Sequence, residues 1–330
     1  MKTIRSDVLG FCGGVSRAVQ SAYDALDAAG SGLQKPKIFS LGPLIHNQIA
    51  LDKLKERGLE ILLESQIDSL DKDCAVIVRA HGVSPQVLER IKARGARIVD
   101  ATCPRVALSQ RRAAEFSAKG MFVILAGDAG HAEVKAVEGS ALFSAETCAT
   151  ENGAKPEILG GGAETSCKPK TCASQNGGKP KTAAGRFILV QNAEEAEALS
   201  VQPEMRGNSV LLSQTTFSPL EYKKISQILC KKIDGLEVLD TICPATGERQ
   251  KALADLAQKV DALVVVGGKK SANSERLFEL AKSLCAASYF VESAADLPTD
   301  FGGAQTVGIA AGASSPDFVI EEVEEKIRAM

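Results

Sequence analysis

The chain has no tryptophan and three tyrosines among its 330 residues, and aromatic side chains make up 4% of it. A core without large rings must be filled by Val, Ile, Leu and Ala, the composition of parallel strands buried on both faces. Long apolar runs are also lacking. No stretch approaches the roughly 20 uninterrupted apolar residues of a membrane helix. The opening residues "MKTIRSDVLGFCGGVSRAV" are broken by charges before any run of signal-peptide length builds up. Charge of one sign is missing too: formal net charge is −2, which gives no electrostatic footprint for nucleic acid. These absences set the expectation of a cytoplasmic protein with neither a membrane nor a nucleic-acid partner.

What is present is cysteine, nine of them, widely spaced and odd in number. In a reducing compartment that pattern favours free thiols or metal ligands over a disulfide frame. Apolar residues are 45% and charged residues 24%, an ordinary globular balance.

Short apolar runs alternate with amphipathic segments throughout. "TIRSDVLG", "KIFSLG", "CAVIVRA", "ARIVDA", "FVILAG", "FILVQ", "SVLLSQ", "LEVLDT", "ALVVVGG", "SYFVES" and "TVGIAAG" read as strands. "VSRAVQSAYDALDAAG", "PQVLERIKARG" and "ERLFELAKSLCAA" read as helices between them. The alternation predicts an α/β fold with parallel sheets and right-handed crossovers. One segment, about 148–184, is rich in Gly, Lys, Pro, Ser and Thr and lacks an apolar period. It is expected to be a flexible insertion. Its Cys167 and Cys172 have no second ligand pair nearby, so their spacing carries no metal site.

Two distant stretches match: "IVDATCPRV", containing Cys103, and "VLDTICPAT", containing Cys243. Each is a strand ending in Cys-Pro at a helix start. Cys12 in "DVLGFCGGVSRAV" also follows a strand and opens a helix, with Gly-Gly in place of Pro. Three similar α/β units follow, expected at residues 1–101 (Cys12), 102–240 (Cys103, with the insertion) and 241–330 (Cys243, ending in a helix). Proline at the first helical position costs no hydrogen bond. The free N–H groups and dipole of a first turn favour a thiolate. Ligands of open α/β sheets gather at the carboxyl ends of strands. Three thiolates meeting there fit a catalytic zinc that keeps a water. They fit better an iron–sulfur cubane with one iron open, which is large enough to draw ligands from three units.

The three histidines occupy equivalent places. His46 follows "KIFSLGPLI", His81 follows "CAVIVRA" and His131 follows "FVILAGDAG", each in a loop beyond a strand. Polar loops with Thr215, with Ser271 and Asn273, and with Ser314 hold the same topological position. Their N–H groups, hydroxyls and amides suit an oxyanion such as a phosphate. Alone, each reads equally as a helix cap. Together with His46 and His81 they describe a site for a small phosphorylated ligand. Glu133, two residues after His131, is placed to hold or relay a proton in a closed pocket.

In order along the chain, "GFCGGVSRAV", "HN" at His46, "RAHGVSP", "DATCP", "GHAEV", "SQTT", "CPAT", "KSANSERL" and "GASSPD" resemble the 4-hydroxy-3-methylbut-2-enyl diphosphate reductase family. The resemblance covers nearly the whole chain. It implies a trefoil of three α/β domains around a central [4Fe–4S] cluster held by Cys12, Cys103 and Cys243. It also implies reductive removal of the allylic hydroxyl of the hydroxylated C5 diphosphate, giving isopentenyl and dimethylallyl diphosphate. By motif position His46, His81, Ser271, Asn273 and Ser314 would hold the diphosphate, and His131 would hydrogen-bond the ligand. Thr215 would steady the hydroxyl end and Glu133 would supply protons. The implied partner is an electron-donor protein such as a ferredoxin or flavodoxin. Ala132 stands where the family usually has Pro, and Ala272 where a second Ser is common. Two other readings fit the cysteines: an iron–sulfur hydro-lyase, and an electron carrier whose polar loops are only helix caps.

Overall fold

The computed structural model describes residues 1–30, 36–150 and 186–330. Cys167, Cys172 and all but the start of the expected insertion lie outside the described residues.

The strands form three four-stranded sheets, and every pairing in them is parallel. The first runs β3 (Leu59–Leu62), β2 (Lys37–Leu41), β4 (Cys74–Val78), β5 (Arg97–Asp100). The second runs β7 (Phe187–Val190), β6 (Phe122–Ala126), β8 (Ser209–Ser213), β9 (Glu237–Val238). The third runs β11 (Ser288–Val291), β10 (Ala262–Val266), β12 (Thr306–Ala311), β1 (Lys2–Arg5). The order is the same in all three, with β1 taking the fourth place of the last sheet. The first strand of the chain thus belongs with its last strands, whereas the sequence division had placed it in the first unit. Residue pairs such as Ile4 with Gly308 join it to β12, because a short run like "KTIR" carries no mark of which sheet it will complete.

The inner strands β4, β6, β8 and β10 are buried at every residue, which is why they read as continuous apolar runs. Strand β3, "LEIL", is absent from the sequence expectation. It is a four-residue edge strand with its middle residues exposed or half-buried, too short to show a period of its own. Helix α1 (Gly13–Ala29) buries Ala18, Val19, Ala22 and Ala25, one stripe at helical spacing. Helix α5 (Ala132–Thr150) extends over the first three residues of the expected insertion. Among the described residues no helix is long and apolar enough to cross a membrane.

The repeated order fixes where the cysteines fall. The fourth strand of each sheet leads into a helix that crosses to the next sheet. Cys12 follows β1 and caps α1, Cys103 follows β5 and caps α4 (Pro104–Ala118), and Cys243 follows β9 and caps α8 (Pro244–Ala257). The Gly-Gly start of α1 had made Cys12 look unlike the other two. Its place in the topology is the same.

Candidate active site

The loops at the carboxyl ends of the three sheets face a common cavity, lined by residues of all three units. Two sets of loops build it. The first set leaves β2, β6 and β10, begins with Gly42, Gly127 and Gly267, and brings His46, His131 and Ser271 to the same distance past the strand. The second set leaves β4, β8 and β12 and presents His81, Thr215 and Ser314.

The second set also anchors the cysteines. The N–H of Cys103 donates to the Ala80 carbonyl at 2.9 Å, that of Cys243 to Thr215 at 2.8 Å and that of Cys12 to Ala313 at 3.1 Å. In each case the acceptor lies two residues beyond the end of the strand. None of the three side chains makes the capping hydrogen bond usual at its position, and all three thiols are free and line the cavity. Burial pushes the Cys243 thiol pKa up, and the nearby Cys103 and Cys12 add to the effect. Packing beside Cys103 is tight: a Cβ at Gly14 would lie 2.7 Å from the Cys103 sulfur. Arg17 of α1 donates to the Thr102 carbonyl beside Cys103. The buried Arg249 of α8 donates to the carbonyls of Ala311 at 2.8 Å, Gly10 at 3.1 Å and Val8 at 3.4 Å, tying the Cys243 helix to the Cys12 loop.

Such a donor set matches a cation-rich group. Three neighbouring thiols ionise together only if positive charge compensates them. Three ligands also fall one short of the closed shell of structural zinc.

Polar side chains line the cavity as well. The imidazoles of His46 and His81 lie with centroids 4.8 Å apart, His81 and His131 at 5.3 Å, and His46 and His131 at 6.3 Å. Burial lowers the pKa of all three, and that of His131 falls to about 4. The guanidinium of Arg79 lowers all three further. Their ligand atoms lie within 4.8 Å of one another, so a metal held by the trio has to be considered. The outer hydrogen bonds argue against it. A metal-bound imidazole donates its second N–H to a carbonyl or carboxylate. Here His131 Nδ1 instead accepts the Glu133 N–H at 3.2 Å, and buried His81 Nδ1 has no partner. An Nδ1 that accepts leaves Nε2–H as the donor, and that suits an anion.

The third unit adds hydroxyls and an amide. Ser271 caps helix α9 (Ala272–Leu284), accepting from the Ser274 N–H at 3.4 Å and from its hydroxyl at 3.1 Å. The Nδ2 of Asn273 is buried without a partner, an orphan donor at the pocket wall. Ser314 Oγ donates to the His46 carbonyl at 3.3 Å. A Cβ at Gly268 would meet that same carbonyl at 2.1 Å, so the third unit packs directly on the His46 loop.

Glu133 also lines the cavity, 1% exposed at the first turn of α5. The Thr215 N–H and hydroxyl donate to its two oxygens at 2.6 and 2.7 Å. Burial outweighs these bonds and raises its pKa to about 7. A buried carboxyl with a pKa near neutrality has the acidity that general acid–base chemistry needs.

All eleven residues expected from the sequence line this one cavity. Sequence reasoning missed Arg79, Arg249, Asp128 and Arg276. Each is a charged side chain in or near a quoted motif, and Arg249, Asp128 and Arg276 have hydrogen-bond partners far away in the chain.

The LytB protein family model matches residues 4–328. Curated relatives named 4-hydroxy-3-methylbut-2-enyl diphosphate reductase include one from Treponema denticola, 36% identical over 98% of both chains. A second, from Caldanaerobacter subterraneus subsp. tengcongensis, is 31% identical over 100% of this chain and 98% of its own. A solved structure titled as (E)-4-hydroxy-3-methyl-but-2-enyl diphosphate reductase, the terminal enzyme of the non-mevalonate pathway, is 29% identical and covers both chains fully, with a TM-score of 0.66. A Plasmodium falciparum reductase structure shares the fold, at 23% identity and a TM-score of 0.77 over 99% of this chain and 87% of its own. The chain belongs to the LytB family.

Proposed function

We propose that this protein reduces (E)-4-hydroxy-3-methylbut-2-enyl diphosphate to isopentenyl and dimethylallyl diphosphate, with a [4Fe–4S] cluster held by Cys12, Cys103 and Cys243. The observation that carries the reading is one cavity lined by three free thiols, a set of anion donors and a buried carboxyl. The cluster would supply electrons and Lewis-acid chemistry at this site.

His46, His81, Ser271, Asn273 and Ser314 bind the diphosphate. The unpaired Asn273 Nδ2 and His81 Nδ1 gain partners there, which removes the cost of leaving buried polar atoms unsatisfied. His131, whose Nδ1 is occupied as an acceptor, turns Nε2–H toward the ligand. Thr215 steadies the hydroxyl end while its N–H fixes the Glu133 carboxyl. The balance requires two electrons and two protons. The C–O bond breaks and the oxygen leaves as water with one added proton, while the allylic carbon takes the other. Glu133, half-protonated near pH 7, holds the proton passed to the oxygen.

The electrons come from an external low-potential carrier such as a ferredoxin or flavodoxin. Cys12, Cys74, Cys103, Cys230, Cys243 and Cys285 are free thiols, which supports a reducing, cytoplasmic setting. The test is an anaerobic assay of purified, reconstituted protein with the hydroxylated C5 diphosphate and a low-potential reductant. Both C5 products should form in step with reductant consumed. A reconstituted protein that binds the diphosphate but turns over without reductant would replace this reading with a hydro-lyase.

A further inference from the structure

We propose that Arg276 is a positioning residue for proton delivery: its guanidinium, carried on the helix that begins at Ser271, clasps the two loops of the second unit that hold Glu133 and Thr215. Arg276 Nη2 donates to both oxygens of Asp128, at 2.5 and 2.7 Å, and Nη1 donates to the Thr216 carbonyl at 2.8 Å. Asp128 leads into the His131–Glu133 turn, where its carbonyl accepts the His131 N–H at 3.2 Å. Its own N–H donates to Gln214 Oε1 at 2.9 Å, and Gln214 Nε2 donates to the Thr216 hydroxyl at 2.8 Å. The network therefore rings the Glu133–Thr215 pair with one guanidinium at its entry point. A rigid planar fork spans a carboxylate and a carbonyl at once, which a lysine does not. The Arg276 side chain is 21% exposed and also lies over the Phe217 ring, 5.3 Å from its centroid.

The geometry has a consequence. Arg276 arises from the third unit, whose Ser271 and Asn273 face the diphosphate, while its partners arise from the second unit, which carries the proton. One side chain thus sets the distance between where the substrate is gripped and where it is protonated. Errors of about 1 Å in such a distance cost on the order of 10²-fold in rate.

The clasp also has an electrostatic signature at Glu133. Burial raises the Glu133 pKa, the two Thr215 bonds lower it, Asp128 raises it and Arg276 lowers it. His131 on the same turn, and His46, His81, Arg105 and the three cysteines elsewhere in the lining, are the other titratable or charged groups of the cavity. Removing either member of the ion pair should therefore move Glu133 in opposite directions. Loss of packing alone has no reason to do so.

This inference rests on Glu133 being the proton source, and the test separates the two. Infrared difference titration follows the Glu133 carboxyl band, assigned with Glu133→Gln, in the anaerobic holoprotein with and without turnover. Arg276→Met should raise the midpoint and Asp128→Asn should lower it, each on the order of half a unit. Arg276→Lys keeps the charge but not the fork. It should leave the midpoint close to wild type while lowering kcat about tenfold, with a smaller change in KM. Shifts in the same direction, no shifts, or full kcat in Arg276→Lys overturn the proposal. Full turnover in Glu133→Gln instead removes the proton assignment, while the infrared titration of the remaining variants still reports the clasp.

Discussion

Thr215 donates both its backbone N–H and its hydroxyl to Glu133, one to each carboxylate oxygen, from a loop 82 residues further along the chain. The pair lines the same cavity as the three cysteines and the three histidines. Replacing Glu133 by Gln keeps the shape and removes the proton. It should lower kcat by about 10²- to 10⁴-fold, with KM little changed. Steady-state kinetics under anaerobic conditions provide the check.

Thr215→Val leaves the backbone donor and deletes the hydroxyl. The side-chain bond holds the Glu133 pKa down, so its loss should shift the alkaline limb of the kcat profile to higher pH. A limb that moves to lower pH contradicts the hydrogen-bond assignment.

Glu133 also makes stability depend on pH. The folded state keeps this proton up to about pH 7, against a reference value of 4.5. Its contribution is therefore fully present below pH 4.5 and is lost as pH rises through 7. The span corresponds to roughly 3 kcal/mol as an order of magnitude. Thermal unfolding of Glu133→Gln should lose less stability than wild type across that window. His131 acts in the opposite sense: its folded pKa lies below 6.5, near 4, so its contribution fades as pH falls through that range. His131→Asn should flatten the acid side of the same curve.

Gly14→Ala places a Cβ 2.7 Å from the Cys103 sulfur and 3.1 Å from its Cβ. The expected result is a folded protein with reduced iron and sulfide after reconstitution, measured by metal and acid-labile sulfide analysis. Cys103→Ser should lose more. The exposed Cys230 serves as the control, and Cys230→Ser should match wild type.

Arg249→Met removes one guanidinium from three carbonyls and leaves them short of partners in a buried setting. A loss of about 2–4 kcal/mol should appear as a lowered midpoint in denaturant unfolding. Iron retention should drop as well, because Gly10 leads directly into Cys12.

Much of this was legible in the sequence because it is local. Buried parallel strands announce themselves as apolar runs, and Pro104 and Pro244 mark helix starts within one residue of a cysteine. Loops with His46, His81 and His131 follow strand ends in plain order. Even the repeat of Cys103 and Cys243 is visible by eye, since equal strand–cap–helix junctions need equal residues.

Tertiary structure alone decided the rest. Nothing within "KTIR" says that β1 completes the last sheet beside β12, because parallel pairing depends on a partner some 300 residues away. That pairing makes Cys12 equivalent to the other two cysteines despite its Gly-Gly sequence. The Arg249 contacts exist only once β1 has joined β12, and those of Arg276 only once the second and third units dock. Local sequence sets caps and periods, since these act over a few residues. A long charged side chain finds its partner through space, and space is fixed only when the units come together.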